Sequence, residues 1–229
     1  MNLVWRDRGL VDYQQVWEDM QRFTDNRTPQ SADEFWLVEH PPVYTLGKGA
    51  DEKHILVRNQ IPVIRSDRGG QITYHGPGQL LVYTLIDVRR IAIGPKELVN
   101  RIEQGVIDFL QKHSITGVRR PGAPGVYVND RKIAALGLRI RKGRSFHGLA
   151  LNVNADLRPF ADINPCGYAG LETVNLSELS PGAVVAEVQQ SLVATLATAI
   201  YAENPVRPEV RDWADNDHET YFPRKTHVG

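Results

Sequence analysis

The stretch from Gln79 to Asp87 is almost unbroken in apolar residues, and it constrains the fold more than any other part of the chain. A half-exposed strand would alternate apolar and polar side chains, so this run marks a strand buried on both faces. Such a strand needs neighbours, and the sequence supplies them. Glu34–Glu39 and Val43–Leu46 read as strands separated by His40-Pro41-Pro42, and Ile61–Ile64 reads as a shorter one. From Gly125 to Val153 the pattern is a meander. Gly125–Val128 turns at Asn129-Asp130 into a strand from about Lys132 to Arg141, and Lys142-Gly143 turns into one from about Arg144 to Val153. Three helices are predicted between these strands. Tyr13, Val16, Trp17, Met20 and Phe23 share one helical face. Gly94-Pro95 opens a second helix that carries Leu98, Ile102, Val106 and Phe109. Val185, Val188, Leu192, Leu196 and Ile200 mark the third. Hairpins mixed irregularly with helices predict an α+β fold, a mixed β-sheet with flanking helices.

The 229 residues suit one domain, 1–204, followed by a polar, proline-containing surface segment or tail, 205–229. Formal net charge is zero, so no global field points to nucleic acid or to an anionic membrane. The N-terminus lacks the pattern of a signal peptide, and no apolar run approaches the roughly 20 residues of a membrane span. A single cysteine excludes an internal disulfide and a multi-thiolate metal site. A cytoplasmic protein, a monomer without metal or cofactor, is the expectation.

That cysteine, Cys166, stands in Asn164-Pro165-Cys166-Gly167-Tyr168, which has neither helical nor strand periodicity. Inert cysteines usually sit inside apolar runs of regular elements, whereas a thiol on a Pro/Gly loop is open to approach. Asp67–Gln79 holds four glycines within ten residues, which lets another molecule or backbone come close. The stretch is neither a Walker A loop nor a dinucleotide fingerprint. His75 within it would, taken alone, be a structural histidine. Lys132 precedes Ile133, Ala134, Ala135, Leu136 and Gly137, so its ammonium lies beside an apolar surface. Partial desolvation makes a lysine usable as a proton carrier. Gly148 and Ala150 share a strand face. Two small residues there either leave a slot for an acyl chain or allow close strand packing.

Together these segments resemble the octanoyl (lipoyl) transferase family. The matching motifs are Arg68-Gly69-Gly70 with Thr73–Gln79, then Lys132–Gly137, then His147–Val153, then Pro165-Cys166-Gly167, and the earlier Glu39–Gly47. The resemblance covers roughly residues 3 to 200. It implies the catalytic-domain fold shared with biotin and lipoate protein ligases. It also implies transfer of an octanoyl group from octanoyl-acyl carrier protein to a lysine of lipoyl domains, those of 2-oxoacid dehydrogenase E2 subunits and of glycine cleavage H protein. Cys166 would be the nucleophile and Lys132 its partner. Arg68, Gly69, Gly70, Gln71, Ile72, Thr73, Tyr74 and His75, with Ala135, Leu136 and Gly137 and with Gly148, Leu149 and Ala150, would line the acyl site. His75 and His147 would orient other groups.

A thiol of pKa about 8.5 is only a few per cent thiolate at pH 7. Lowering it by about 1.5 units is worth roughly 2 kcal/mol, but nucleophilicity falls with pKa and returns much of the gain. Lys132 is therefore expected to act by carrying protons more than by fixed charge. The competing readings are an ATP-dependent lipoate or biotin ligase, a non-catalytic binding module and a cysteine hydrolase. Arg139, Arg141 and Arg144 surround the Lys142-Gly143 turn, with Arg119, Arg120 and Arg131 near in sequence. They form a candidate basic rim for an acidic carrier, its far end about 30 Å along the strand from Lys132.

Overall fold

The structure is a computed structural model that describes residues 2–165 and 170–213. Ten strands and four helices occur in the described residues. Strands β1 (Leu3–Leu10), β2 (Asp33–Glu39), β6 (Gln79–Leu85), β7 (Gly125–Val128), β8 (Arg131–Arg141), β9 (Arg144–Asn152) and β10 (Glu209–Val210) form one sheet. Its order is β10-β1-β2-β6-β9-β8-β7. β1 runs parallel to both β10 and β2, and every other pairing is antiparallel. β3 (Val43–Leu46), β4 (Val63–Arg65) and β5 (Ile72–His75) form a second sheet in the order β4-β3-β5. All seven residues of β6 are buried, as its apolar run requires. The mixed sheet with flanking helices is the predicted α+β architecture.

Helices cover both faces of the large sheet. α2 (Pro95–Lys112) and α4 (Val185–Ile200) pack on each other and bury one face; a short helix, α3 (Leu176–Leu179), precedes α4. Phe109, Leu110, Leu192 and Leu196 meet Val82, Ile133, Ala134 and Leu151 there in one apolar cluster. On the other face, α1 (Tyr13–Asn26) lays Val16, Met20 and Phe23 over Trp36, Leu81, Tyr83 and Phe146. The Asp12 side chain starts α1 by accepting from the backbone N–H groups of Gln14 and Gln15.

Two strands escape local pattern. β1 carries Arg6, fully buried and paired with Glu34 at 3.1 Å. That partner is 28 residues away, so nothing local marks Arg6 as an interior residue. β5 lies inside the glycine-rich motif and pairs with β3. The polar segment after residue 204 is docked as far as it is described. β10 pairs with β1, Arg211 N–H donates to Trp5 O, and Trp213 packs edge-on against Trp36 with ring centroids 4.9 Å apart. No helix of the described residues is long and apolar enough to cross a membrane.

Candidate active site

A channel lies between the α1 face of the large sheet and the glycine-rich loop that leads into β5 of the small one. Strand register builds its floor in rows: Leu81, Ala150 and Ala135, then Tyr83, Gly148 and Gly137. The small side chains of Ala135 and Ala150 leave the space. Arg68, Gly70, Gln71, Ile72, Thr73 and His75 form the opposite wall, and Tyr13 reaches in from α1. Leu136 and Leu149 also line it. Two expected members stand elsewhere. Tyr74 packs between Tyr44 and Phe160 in the small sheet's own core. Gly69 lines an adjoining groove and donates its N–H to Leu138 O at 2.9 Å. Tyr13, Leu81, Tyr83 and His147 line the channel without having been expected as acyl contacts. No local signal marks them, because each faces the channel only through sheet register or helix packing.

The glycines serve the walls more than the cavity. A Cβ on Gly148 would lie 1.9 Å from Val82 O, so this glycine is there for close strand packing. A Cβ on Gly137 would lie 2.8 Å from Gly69 O, so the glycine-rich loop rests on bare backbone. Arg68 holds that loop from inside. Its guanidinium donates to Gly69 O, Gln71 O, Thr45 O and Thr45 Oγ1 at 2.6–3.1 Å.

Tyr13, Tyr83 and His75 of the channel each place their polar atoms on protein partners. Tyr13 Oη–H donates to Ser66 Oγ at 2.9 Å. His40 Nδ1 faces Val11 O at 2.6 Å, which can only accept, so Nδ1 carries the proton. His40 Nε2 therefore accepts from Tyr83 Oη–H at 2.6 Å. Burial pushes His40 down to about 4 and His75 down to about 3, so both imidazoles are neutral near pH 7. His75 Nδ1–H donates to Gln79 Oε1 at 2.7 Å, and Nε2 faces Thr45 Oγ1 at 3.2 Å. Gln79 Nε2 donates to Asn152 Oδ1 at 2.9 Å, and Asn152 Nδ2 to Lys132 O at 3.5 Å. A buried relay of neutral groups thus connects the Arg68 loop to the strand of Lys132.

His147 has a φ of 60°, a strained conformation for a non-glycine residue. Its Nε2 lies 2.8 Å from Asp67 Oδ1. Burial lowers the His147 pKa despite that carboxylate. Burial would raise Asp67, but bonds from His147 and Trp17 outweigh it and keep the carboxyl below its ordinary range. A neutral imidazole beside an ionised carboxylate donates through Nε2.

Lys132 reaches this face through a defect in the strand. Val126 pairs with Ala134, but Tyr127 pairs with Lys132, so Ile133 is an extra residue in β8. Counting back by twos from Gly137 and Ala135 would put Ile133 on the channel face and Lys132 under the helices. The bulge exchanges them, as bulges beside functional sites do. Ile133 joins the helix-face core, and Lys132, 3% exposed, enters a gap shared with Thr73, Ala135, Asn152, Pro165 and Thr173. Thr73 and Ala135 line the channel as well, so this gap adjoins it. Lys132 Nζ donates to Pro124 O at 3.1 Å and lies 5.1 Å from the Tyr127 ring centroid. Lys132 N–H donates to Glu172 O, tying the segment around Glu172 to β8. Cys166 itself lies outside the described residues; its neighbour Pro165 shares the gap with Lys132.

The fold places an apolar channel beside the gap that encloses the buried Lys132. A family model described as the lipoyl protein ligase A/B catalytic domain matches residues 12–197. A Pseudomonas entomophila protein named octanoyltransferase is 56% identical over 199 residues, covering 86% of this chain and 93% of its own. A Shewanella oneidensis protein of the same name is 56% identical over 192 residues, covering 84% and 88%. The chain belongs to the lipoyl protein ligase A/B catalytic domain family. Two solved structures share its fold. A bipartite lipoate protein ligase from Thermoplasma acidophilum superposes with a TM-score of 0.73 at 13% identity, over 97% of this chain and 91% of that one. Biotin protein ligase from Aquifex aeolicus superposes at 0.53 with 12% identity, over 89% and 70%.

Proposed function

We propose that this protein is an octanoyltransferase of lipoate biosynthesis that works through a covalent acyl-enzyme on Cys166. The observation that carries the reading is the bulge that brings Lys132 to the end of an apolar channel, in the gap bordered by Pro165. The acyl tail lies in the channel with its carbonyl toward Lys132. Cys166 attacks the thioester of octanoyl-acyl carrier protein; the new C–S bond forms as the carrier C–S bond breaks. Lys132 accepts the cysteine proton and returns one to the departing carrier thiol. In the second half, a lysine amine of a lipoyl domain attacks the acyl carbonyl. The amide C–N bond forms, the Cys166 C–S bond breaks, and the amine proton passes through Lys132 to the thiolate. The neutral His75–Gln79–Asn152 relay holds the strand under Lys132 without adding a competing charge.

Incubation with octanoyl-acyl carrier protein and no acceptor, followed by intact-mass analysis, tests this. One hydroxylamine-labile octanoyl group is expected, and none on Cys166→Ala. An adduct that survives in that variant overturns the nucleophile. Strict dependence on ATP with free octanoate would instead establish the ligase reading, and release of free octanoate as the main product would establish a hydrolase.

A further inference from the structure

A groove of about 1420 Å³ runs beside the channel along the outer edge of β8. β7 stops pairing at Gly125–Ala135, so from Leu136 onward β8 has no further strand on that side among the described residues. One end of the groove is Pro124, whose carbonyl holds Lys132 Nζ. Lys48, Lys96 and Arg139 line it as well. Seven residues of strand separate Lys132 from Arg139, about 23 Å.

Charge distinguishes this groove from the rest of the surface. Arg119, Arg120, Arg131, Arg141 and Arg144, expected as part of a basic rim, are neutralised by Glu103, Asp130, Glu178, Asp25 and Asp87. Among the described residues no carboxylate forms an ion pair with Lys48, Lys96 or Arg139. The groove's one acid, Asp67, is engaged by His147 and Trp17. Two polar atoms of groove residues are buried without partners, the Nε of Arg139 and the Oε1 of Gln71. The openings on the opposite side of Lys132 contain Asp130 and Glu172, and their arginines are already paired.

We propose that this groove receives the prosthetic arm of the acyl donor, an extended amide-containing chain with a thioester at one end and a phosphodiester at the other. The thioester end meets Lys132 at Pro124, and the phosphate is bound by Lys48, Lys96 and Arg139. The arm's amides meet the Gln71 amide oxygen and those groups of the β8 edge that the Gly69 N–H leaves free. This rests on the acyl-carrier reading of the donor given above.

The test compares octanoyl-pantetheine, octanoyl-4′-phosphopantetheine and octanoyl-carrier as donors to a lipoyl domain. Wild-type protein should prefer the phosphorylated arm over the unphosphorylated one. In Lys48→Gln/Lys96→Gln/Arg139→Gln the ratio of their kcat/KM values should fall about tenfold. Lys48 and Lys96 are exposed, so the double variant without the Arg139 change provides the same readout in a protein that folds. An unchanged ratio overturns the proposal. So does a loss confined to the carrier-bound donor, which would mean steering by the carrier's surface. A raised acceptor KM with the ratio intact would assign the groove to the lipoyl domain. Wild-type protein that accepts none of the three donors would refute the donor reading itself, which is a separate outcome.

Discussion

The two faces of the large sheet are made by alternate residues of the same strands, yet they are built on opposite rules. Under α2 and α4 the contacts are large and apolar, with Phe109, Leu110, Val126, Leu192 and Leu196 at or near zero exposure. Under α1 and the glycine-rich loop, small residues leave a channel. The buried polar side chains there satisfy one another through Thr45, His75, Gln79 and Asn152. The comparison shows a division of labour within single strands: one face is closely packed, and the other gives up packing for an apolar channel and buried side chains of fixed tautomer. Lys132 belongs to the second face only because one residue is inserted in β8.

The largest test of that division is on the helix face. Phe109→Ala should cost about 3–5 kcal/mol in urea unfolding, while transfer activity per folded molecule stays within about twofold of wild type. A comparable loss of turnover in the folded fraction would show that the faces are not independent. The next is at the bulge. Lys132→Arg keeps a positive charge but cannot release its proton at accessible pH, so octanoyl transfer should fall about 10²-fold, as in Lys132→Ala. Near wild-type turnover in the arginine variant would assign Lys132 a purely electrostatic role.

A smaller effect should follow from breaking the relay. Gln79→Leu keeps the volume but leaves His75 Nδ1–H and Asn152 Oδ1 without their partner. It should lower stability by about 1–3 kcal/mol, and the His75 ring nitrogens should lose their fixed tautomer in ¹⁵N spectra. An unaltered tautomer would mean that the relay is not what sets it.

The gentlest probe is pH. Burial lowers His40 to about 4 and His75 to about 3, below the 6.5 of an exposed imidazole. The unfolded chain therefore binds more protons between about pH 6.5 and 4. The stability contributed by the neutral rings is complete above 6.5 and declines as pH falls through that window. Each ring contributes up to about 1.4 kcal/mol per pH unit. His75→Gln should flatten the fall in urea midpoint between pH 6.5 and 5; an unchanged slope would mean that His75 does not titrate on unfolding.

Much of this protein is written locally. The apolar run of β6, the hairpins at Asn129-Asp130 and Lys142-Gly143, and the helical faces of α1, α2 and α4 were all legible, because hydrophobic period and turn chemistry are short-range properties. The family resemblance of the motifs from Arg68 to His75 and from Ala135 to Gly137 pointed to the channel wall, which all of them line except Gly69 and Tyr74. Other features were settled by contacts distant in sequence. β1 hides Arg6 against Glu34, β10 joins β1 from some 200 residues away, and five of six expected rim arginines find acids on other elements. Gly148 read equally as a slot for an acyl chain or as close strand packing, and the approach of Val82 O decides for packing. The face on which Lys132 emerges is the sharpest case. Strict alternation along β8 buries it under the helices, and only pairing with β7, which fixes where the extra residue falls, turns it toward the channel. The sequence by itself determined which residues are the candidates for the chemistry; tertiary pairing decided which way the described ones among them face, because a strand's register is set by its neighbour and not by its own side chains.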